Sequence, residues 1–337
     1  MTKIAIQFKN VSKKFEKAQD YAVSDISVEI EEGNFVTILG TSGSGKTTFL
    51  KMINRIYETT SGEILFYGEN IKSLPVEKHR RKIGYVIQQI GLFPHMTVEE
   101  NIATVPKILH WNKAKIATRV DDLLNLVNLS PENFKKRYPR QLSGGQQQRI
   151  GLARAMAADP EIMLMDEPFG AIDAITRQNL QDELLKIQKK LNKTILFVTH
   201  DVNEAFKLGD KVIVMNKGKI EQFDTPYNIL FKPANEFVAK LVSSDDILQR
   251  FKFLKAEDAM ISLDTAFEPS TIRVLNKQSL YDVLTTFLSN NVKTIIVEDE
   301  KQIPIGKIEW DYLNNSFAHK KQEIEDRPGE YFDKLSI

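Results

Sequence analysis

The sequence contains no cysteine, which excludes disulfides and every zinc site built on cysteine thiolates. The absence of cysteine also fits a reducing compartment. The fold must therefore be held by packing, for which a hydrophobic content of 42% is ordinary in a globular protein. Because 337 residues are too many for one ordinary core, we expect two domains.

Long apolar runs are also missing. No stretch approaches the ~18 consecutive apolar residues of a membrane-spanning helix. Residues 1–6 lack the apolar core of a signal peptide. We expect a cytoplasmic chain without a membrane span, so that any membrane partner would be a separate protein.

An excess of basic charge is lacking as well. The 46 Lys and Arg residues balance 45 Asp and Glu residues, which leaves a formal net charge of +1. Proteins that bind nucleic acids usually show a basic excess. We therefore expect no nucleic-acid partner.

The most informative stretch that is present matches the phosphate-loop pattern G-x-x-x-x-G-K-[ST] and lies between an apolar run, 35–39, and a helical segment from 48 onward. Glycines let backbone N–H groups approach an anion, and the helix N-terminus adds further donors. Lys46 can reach the β- and γ-phosphates, and the Thr47 hydroxyl can bind Mg²⁺. A chance glycine turn is the alternative, which the flanking strand and helix disfavour. The predicted phosphate-binding residues of this segment are Gly40, Thr41, Ser42, Gly43, Ser44, Gly45, Lys46, Thr47 and Thr48.

Polar side chains follow three predicted strands at 82–87, 162–165 and 194–198. Ligands bind at the carboxyl ends of strands in open α/β sheets. Asp166 can hold Mg²⁺, and Glu167 can polarise an attacking water, a step worth roughly 10²–10⁴ in rate. The other two strand ends carry Gln88, whose choice over Gln89 depends on strand phase, and His200. A solvent-facing acidic pair and a structural histidine remain the alternatives.

Two further segments suggest nucleotide contacts. Leu142, Ser143, Gly144, Gly145 and Gln146 open a helix that runs to about 157, with Ser143 as a natural N-cap. The helix start can bind an anion, although a plain capped helix is the simpler interpretation of this segment alone. Phe15, upstream of the loop, could stack on a base or simply pack. Between these segments, 98–129 reads as helical, with breaks near Pro106 and at 111–112, a Thr97 N-cap and a capping box completed by Glu100.

These motifs, in this order and spacing, resemble those of ABC transporter ATPases over residues 1–242. The resemblance implies an α/β fold: a P-loop NTPase core, with a helical subdomain at about 90–160. It implies ATP and Mg²⁺ as ligands, with Thr47, Gln88 and Asp166 at the metal. It also implies Glu167 as general base, Gln88 as sensor of metal and water, and His200 as γ-phosphate switch. Phe15 is similar to the family's adenine-stacking aromatic, where many relatives have tyrosine.

The resemblance further implies a dimer of two identical cassettes around two ATP molecules. In that arrangement, residues 142–146 bind the ATP of the opposite subunit, and Asp173 makes a contact across the dimer. Residues 83–97 and 101–107 are similar to the corresponding segments of ATPases from importers of glycine betaine, carnitine and choline. This narrower resemblance implies separate transmembrane permease subunits, a solute-binding protein and a place at the cytoplasmic face of the membrane. Another importer or an exporter is the alternative.

The C-terminal part predicts a linker at 243–270 and then a strand from 271, an amphipathic helix, and strands at 294–297 and 304–308. Strand, helix, strand, strand resembles a single CBS motif at 271–318, followed by a charged tail at 319–337. The apolar stripe of the helix comprises Leu280, Val283, Leu284, Phe287 and Leu288. A small α+β appendage that only dimerises is the alternative.

Overall fold

The computed structural model describes residues 3–88, 91–170, 172–242, 251–263, 272–311 and 313. The chain forms two compact units, 1–224 and 225–337, each of which is described by itself. The predicted first domain extends to 242, so its residues 225–242 are described with the second unit. Among the described residues, none of the helices has the length and apolar character needed to cross a membrane.

The described residues of the first unit form ten strands in two sheets. The strands are β1 (Ile4–Lys13), β2 (Val23–Glu31), β3 (Phe35–Gly40), β4 (Ser61–Phe66), β5 (Glu69–Asn70), β6 (Ile83–Val86), β7 (Ile162–Asp166), β8 (Thr194–Val198), β9 (Lys211–Asn216) and β10 (Lys219–Asp224).

Its helices pack against the sheets. The helices that follow β6 and precede β7 in the chain form the helical layer. The helices of the unit are α1 (Lys46–Ile53), α2 (Val76–Arg81), α3 (Val98–Ile108), α4 (Lys113–Leu126), α5 (Pro131–Phe134), α6 (Gly144–Met156), α7 (Ala174–Leu191) and α8 (Val202–Leu208).

The larger sheet has the order β10-β9-β3-β8-β7-β6 and is parallel except for the β9–β10 hairpin. All residues of β3, β7 and β8 are buried. Continuous apolar runs of this kind are typical of parallel strands that are covered on both faces. The order brings the carboxyl ends of β3, β8, β7 and β6 side by side, where the sequence predicts the site.

The second sheet, β2-β1-β4-β5, is antiparallel and packs against α1. Alternate residues of β2 are buried, as the alternating sequence pattern predicts. The rings of Phe8 in β1 and Phe49 in α1 stack with their centroids 4.3 Å apart. This contact fixes the helix that follows the phosphate loop.

The helical layer corrects one sequence prediction. Pro106 does not break a helix; it lies buried inside the last turn of α3, which ends at Ile108. The proline lacks the N–H that would pair with the preceding turn, and the helix ends two residues after it instead of at it. The second predicted break is confirmed, since Asn112 caps α4 through a hydrogen bond from the Lys115 N–H (2.7 Å).

The second unit confirms the predicted succession of strand, helix, strand and strand. Its sheet has the order β11-β12-β13, in which β11 and β12 are parallel and β12 and β13 antiparallel. The CBS resemblance itself stays a prediction. The elements are α9 (Pro226–Phe231), α10 (Glu236–Val242), α11 (Ala256–Ala259), β11 (Arg273–Leu275), α12 (Leu280–Asn290), β12 (Thr294–Glu298) and β13 (Pro304–Glu309).

Part of the predicted linker belongs to this fold. Ile261 exchanges two backbone hydrogen bonds with Lys307 of β13, and Leu254 accepts one from the Leu280 N–H. The α11 residues Ala256 and Ala259 are buried. Edge pairing with a strand more than 40 residues away leaves no local pattern, which explains the error. The rest of the linker, 243–250 and 264–270, and the charged tail at 319–337 lie outside the described residues.

Candidate active site

The phosphate loop joins β3 to α1 in a conformation that requires glycine. Gly45 is the residue before the first residue of α1 and has φ of 102°. A Cβ atom there would lie 2.3 Å from the Ala22 carbonyl oxygen. Thr41, Ser42 and Gly43 form the exposed crest of the loop. The chain can therefore turn sharply into the helix with its crest open to a ligand.

Lys46 spans the inside of this loop. Its Nζ atom donates hydrogen bonds to the carbonyl oxygens of Gly40 (2.8 Å) and Thr41 (2.9 Å). Burial lowers the pKa of Lys46, while Glu167 and Asp166 act in the opposite direction. Because an ammonium group has three donors, one remains for a phosphate oxygen.

The interior of the loop fits a bound phosphate group. Ser44 is buried, and its Oγ atom has no hydrogen-bond partner among the described residues. Buried polar atoms without partners are rare in folded proteins and call for a ligand or water. Thr48, half-buried in the first turn of α1, stands beside the unpaired donors of the helix start.

The predicted metal residues come together only in part. The Thr47 hydroxyl donates to Oδ1 of Asp166 at 2.9 Å, which places two oxygen ligands side by side. Burial raises the pKa of Asp166, and the Thr47 hydrogen bond opposes this shift. Mg²⁺ prefers oxygen ligands from one or two carboxylates together with substrate phosphates. This pair fits such an ion, whereas Gln88 contacts a different carboxylate.

Three strand ends converge on Glu167. Its Oε2 atom accepts a hydrogen bond from Gln88 Nε2 (3.2 Å) and lies 3.4 Å from His200 Nδ1. Glu167 adopts a left-handed conformation, with φ of 45°, and its backbone N–H donates to Val198 of β8. Such strained backbone is frequent at functional sites. The predicted catalytic residues therefore form one cluster.

Residues 142–146 begin α6 as predicted. Ser143 is the N-cap and forms a capping box with Gln146, through bonds of 3.3 Å and 3.0 Å. Leu142 is buried, whereas Ser143 and Gly144 are exposed. A Cβ atom on Gly145 would lie 2.6 Å from Cγ2 of Thr176 in α7. This segment therefore presents an exposed backbone beside the start of α7.

Asp173 caps α7. Its Oδ1 atom accepts a hydrogen bond from the Thr176 N–H (3.0 Å), and this bond lowers the pKa of the exposed Asp173 carboxyl. Phe15 is half-buried, with its ring edge-to-face with Tyr57 at 5.1 Å and the Lys13 ammonium 5.1 Å from its centre. The roles of Asp173 and Phe15 remain predictions.

The sequence interpretation missed a buried polar cluster beneath His200. Glu204 accepts hydrogen bonds from Thr199 and Gln181, and all three side chains are buried. Thr199 and Glu204 flank Asp201, the N-cap of α8, so the cap signal could have pointed to them. Gln181 lies on another helix and had no such signal.

Comparison with known proteins agrees with this geometry. The family model described as ABC transporter matches residues 23–170. The glycine betaine uptake system ATP-binding protein YehX of Escherichia coli is 43% identical over 91% of this chain and 98% of its own length. The glycine betaine/carnitine/choline transport ATP-binding protein OpuCA of Bacillus subtilis is 43% identical over 95% of this chain and 81% of its own length.

A solved structure shows the same fold. It is the dimeric post-hydrolysis state of the ATP-binding cassette MJ0796, bound to ADP and Pi, with a TM-score of 0.59 and 35% identity. The match covers 66% of this chain and 98% of that one. The chain therefore belongs to the ABC transporter family, as one of its ATP-binding subunits, and is an ATPase.

Proposed function

We propose that this ATPase drives the import of quaternary-amine osmoprotectants such as glycine betaine, carnitine and choline. The observation that supports the proposal is its 43% identity to two ATP-binding proteins named for these solutes, along 81% and 98% of their lengths. The segments 83–97 and 101–107 point the same way. Another importer or an exporter is the alternative.

The chain's own residues suit ATP hydrolysis. Lys46 and the backbone donors of the loop hold the phosphates, and Thr47 and Asp166 hold Mg²⁺. When bound, Mg²⁺ supplies positive charge to the phosphate oxygens. Glu167 accepts a proton from the attacking water, Gln88 orients that water through its hydrogen bond to Glu167, and His200 contacts the γ-phosphate.

Two copies form the working unit in this proposal. Ser143, Gly144 and Asp173 are exposed in the single chain. A second copy would supply these residues to the ATP held by Lys46 of the first. The dimeric state of the solved relative supports this arrangement. Binding of ATP closes the pair, and hydrolysis reopens it.

Import also requires proteins that this chain does not contain. We infer that the dimer lies at the cytoplasmic face of the membrane on two transmembrane permease subunits. A solute-binding protein delivers the solute from the other side. The part of the helical layer around residues 89–115 transmits closure to the permease.

A reconstituted transporter tests the solute. The chain is co-purified with its permease and solute-binding protein, placed in liposomes, and its ATPase rate is measured with glycine betaine, carnitine, choline, amino acids and sugars. We expect stimulation by a quaternary amine, abolished by Glu167→Gln. Stimulation by amino acids or sugars alone would contradict the solute class. Full transport without a binding protein would favour an exporter.

A further inference from the structure

A buried carboxylate outside the reaction scheme lies beneath the catalytic cluster. Glu204, in the first turn of α8, is 8% exposed. Burial raises its pKa, and hydrogen bonds from Thr199 and Gln181 oppose the shift. The N-terminal turn of a helix also favours a negative charge. A group that is costly to bury is thus held by a dedicated set of donors.

The first donor adjoins His200 in the chain. The Thr199 hydroxyl donates to Oε2 of Glu204 at 2.5 Å. The same hydroxyl oxygen accepts a hydrogen bond from the Asp201 N–H at 3.0 Å. The Thr199 N–H in turn donates to the Ile38 carbonyl of β3 (3.1 Å). The backbone is therefore fastened immediately before and immediately after His200.

His200 itself has little direct support. Its side chain is 67% exposed, and its Nδ1 atom lies 3.4 Å from Oε2 of Glu167, longer than a typical hydrogen bond. An exposed imidazole whose one polar contact within the described residues is this long depends on its backbone for position. That backbone depends on the Thr199 hydroxyl, whose hydrogen is directed to Glu204.

The second donor links this network to α7. Nε2 of Gln181 donates to Oε1 of Glu204 at 2.9 Å. Two residues further along α7, on the opposite side of the helix, Glu183 forms an ion pair with Arg149 of α6 (2.9 Å). Helix α7 therefore connects the segment that carries His200 with α6, whose N-cap is Ser143.

We propose that Glu204 is a positioning residue for His200, acting through Thr199 and fastened to α7 by Gln181. The inference rests on the proposed role of His200 at the γ-phosphate. Glu204 touches neither the substrate nor Glu167. It fixes where the exposed imidazole stands relative to Glu167, and it ties that position to the helix capped by Asp173.

A matched pair of variants at Thr199 tests the hydroxyl. Thr199→Val keeps the side-chain shape and removes the hydroxyl, whereas Thr199→Ser keeps the hydroxyl. We expect Thr199→Val to lower kcat about three- to tenfold, the equivalent of one hydrogen bond, with little change in KM for ATP. Thr199→Ser should stay near the wild-type kcat. Equal rates in the two variants would overturn the proposal.

Glu204→Gln tests the carboxylate itself. A carboxylamide has one acceptor oxygen, so in either orientation its NH₂ group faces Thr199 or Gln181, and one donor loses its acceptor. We expect a similar fall in kcat and a shift of the His200 ring resonance in the NMR spectrum of histidine-labelled protein. That resonance is assigned as the one missing in His200→Ala. Lys207→Ala, which removes the ion pair of Lys207 in α8 with Asp182 in α7 (2.7 Å), is the control and should change neither.

The two readouts separate the two proposals. If His200→Ala hydrolyses ATP at the wild-type rate, the role of His200 fails, and the resonance still reports its position. An unchanged resonance in Glu204→Gln, measured on a folded protein, would overturn the positioning role. If Glu204→Gln does not fold, the comparison of Thr199→Val with Thr199→Ser decides whether the positioning role stands.

Discussion

The Nδ1 atom of His200 lies 3.4 Å from the Glu167 Oε2 atom, which also accepts a hydrogen bond from Gln88 Nε2. These three side chains follow the ends of three strands that are consecutive in the sheet order, β8, β7 and β6. One carboxylate oxygen is thus the meeting point of two groups that the sequence assigned to separate roles. A movement of Gln88 or His200 would therefore change the contacts of Glu167, the proposed general base.

Replacement of that base should separate binding from hydrolysis. Glu167→Gln removes the proton acceptor but leaves Lys46 and Thr47 in place. We expect ATP binding to persist and hydrolysis to slow by about two orders of magnitude or more. Gel filtration with ATP should show a trapped dimer. Glu161→Gln, at an exposed ion pair with Lys82, is the control and should hydrolyse normally. A near-normal rate in Glu167→Gln would contradict the assignment.

Local signals explain what the sequence predicted well. The bounds of β8 agree to the residue, because its apolar run ends at a clear change to polar residues. The capping box that begins α3 and the N-cap Ser143 of α6 are also confirmed, since each depends on residues close together in the chain. The phosphate loop is likewise a contiguous pattern whose geometry follows from its glycines.

Contacts between distant parts of the chain explain what the sequence did not predict. Gln181 and Glu204 are 23 positions apart on different helices, and neither has a pattern that announces a buried polar contact. Pairing of Ile261 with Lys307 likewise depends on the finished fold. Gln88 contacts Glu167 and not Thr47 at the metal residues. This could be predicted only from the distances between the strands.

Asp166 should show a conflict between stability and function. Burial raises its pKa in the folded state, so folding disfavours the ionised form. The wild type therefore loses stability as pH rises through the folded pKa, a loss that Asp166→Asn avoids. Asn keeps an acceptor for the Thr47 hydroxyl. Without ligands at pH 7, we expect this variant to melt at a higher temperature than the wild type, with a difference that narrows toward acid pH.

With Mg²⁺ and ATP, the wild type should have the higher melting temperature of the two proteins. Asp166→Asn lacks the charge that binds the metal, so we expect hydrolysis to fall about a hundredfold and Mg²⁺-ATP to raise its melting temperature less than that of the wild type. Asp20→Asn, at an exposed site, is the control. A variant that is less stable than the wild type without ligands would show that the Asp166 charge is favourable in the fold.

The close approach of Gly145 to α7 leads to a prediction that concerns stability alone. An added Cβ atom at Gly145 would lie 2.6 Å from Cγ2 of Thr176, whereas one at Gly144 would meet nothing within 4 Å. We expect Gly145→Ala to lower the free energy of unfolding by about 1–3 kcal/mol through overpacking. Gly144→Ala, at an open helical position, should have no destabilising effect.

A second substitution checks the cause. Thr176→Ser removes Cγ2, so the double variant Gly145→Ala with Thr176→Ser should regain most of the lost stability in urea denaturation. Additive losses in the double variant would indicate that the strain comes from another contact.

From the sequence, the apolar stripe of a single CBS-like motif predicts that two copies of this unit pair across the ATPase dimer. Of the five residues of the predicted apolar stripe on α12, Leu280, Val283 and Phe287 are at most 2% exposed and Leu284 is half-buried, whereas Leu288 is exposed. The three buried residues pack within the unit, where Phe287 meets the ring of Trp310 at 5.6 Å. The exposed apolar residues of α12 are Tyr281 and Leu288, and Leu288 is 66% exposed.

Pairing of two such units in the ATPase dimer should therefore involve Leu288. Because the chain has no cysteine, Leu288→Cys introduces a single thiol. We expect oxidation to cross-link the dimer that Glu167→Gln traps with ATP, since two tails tethered to one dimer meet at a high effective concentration. Lys301→Cys is the control: it lies in the turn after β12, at the opposite end of that strand from the end of α12. Equal cross-linking at the two positions, or none at Leu288→Cys, would contradict pairing through this helix face.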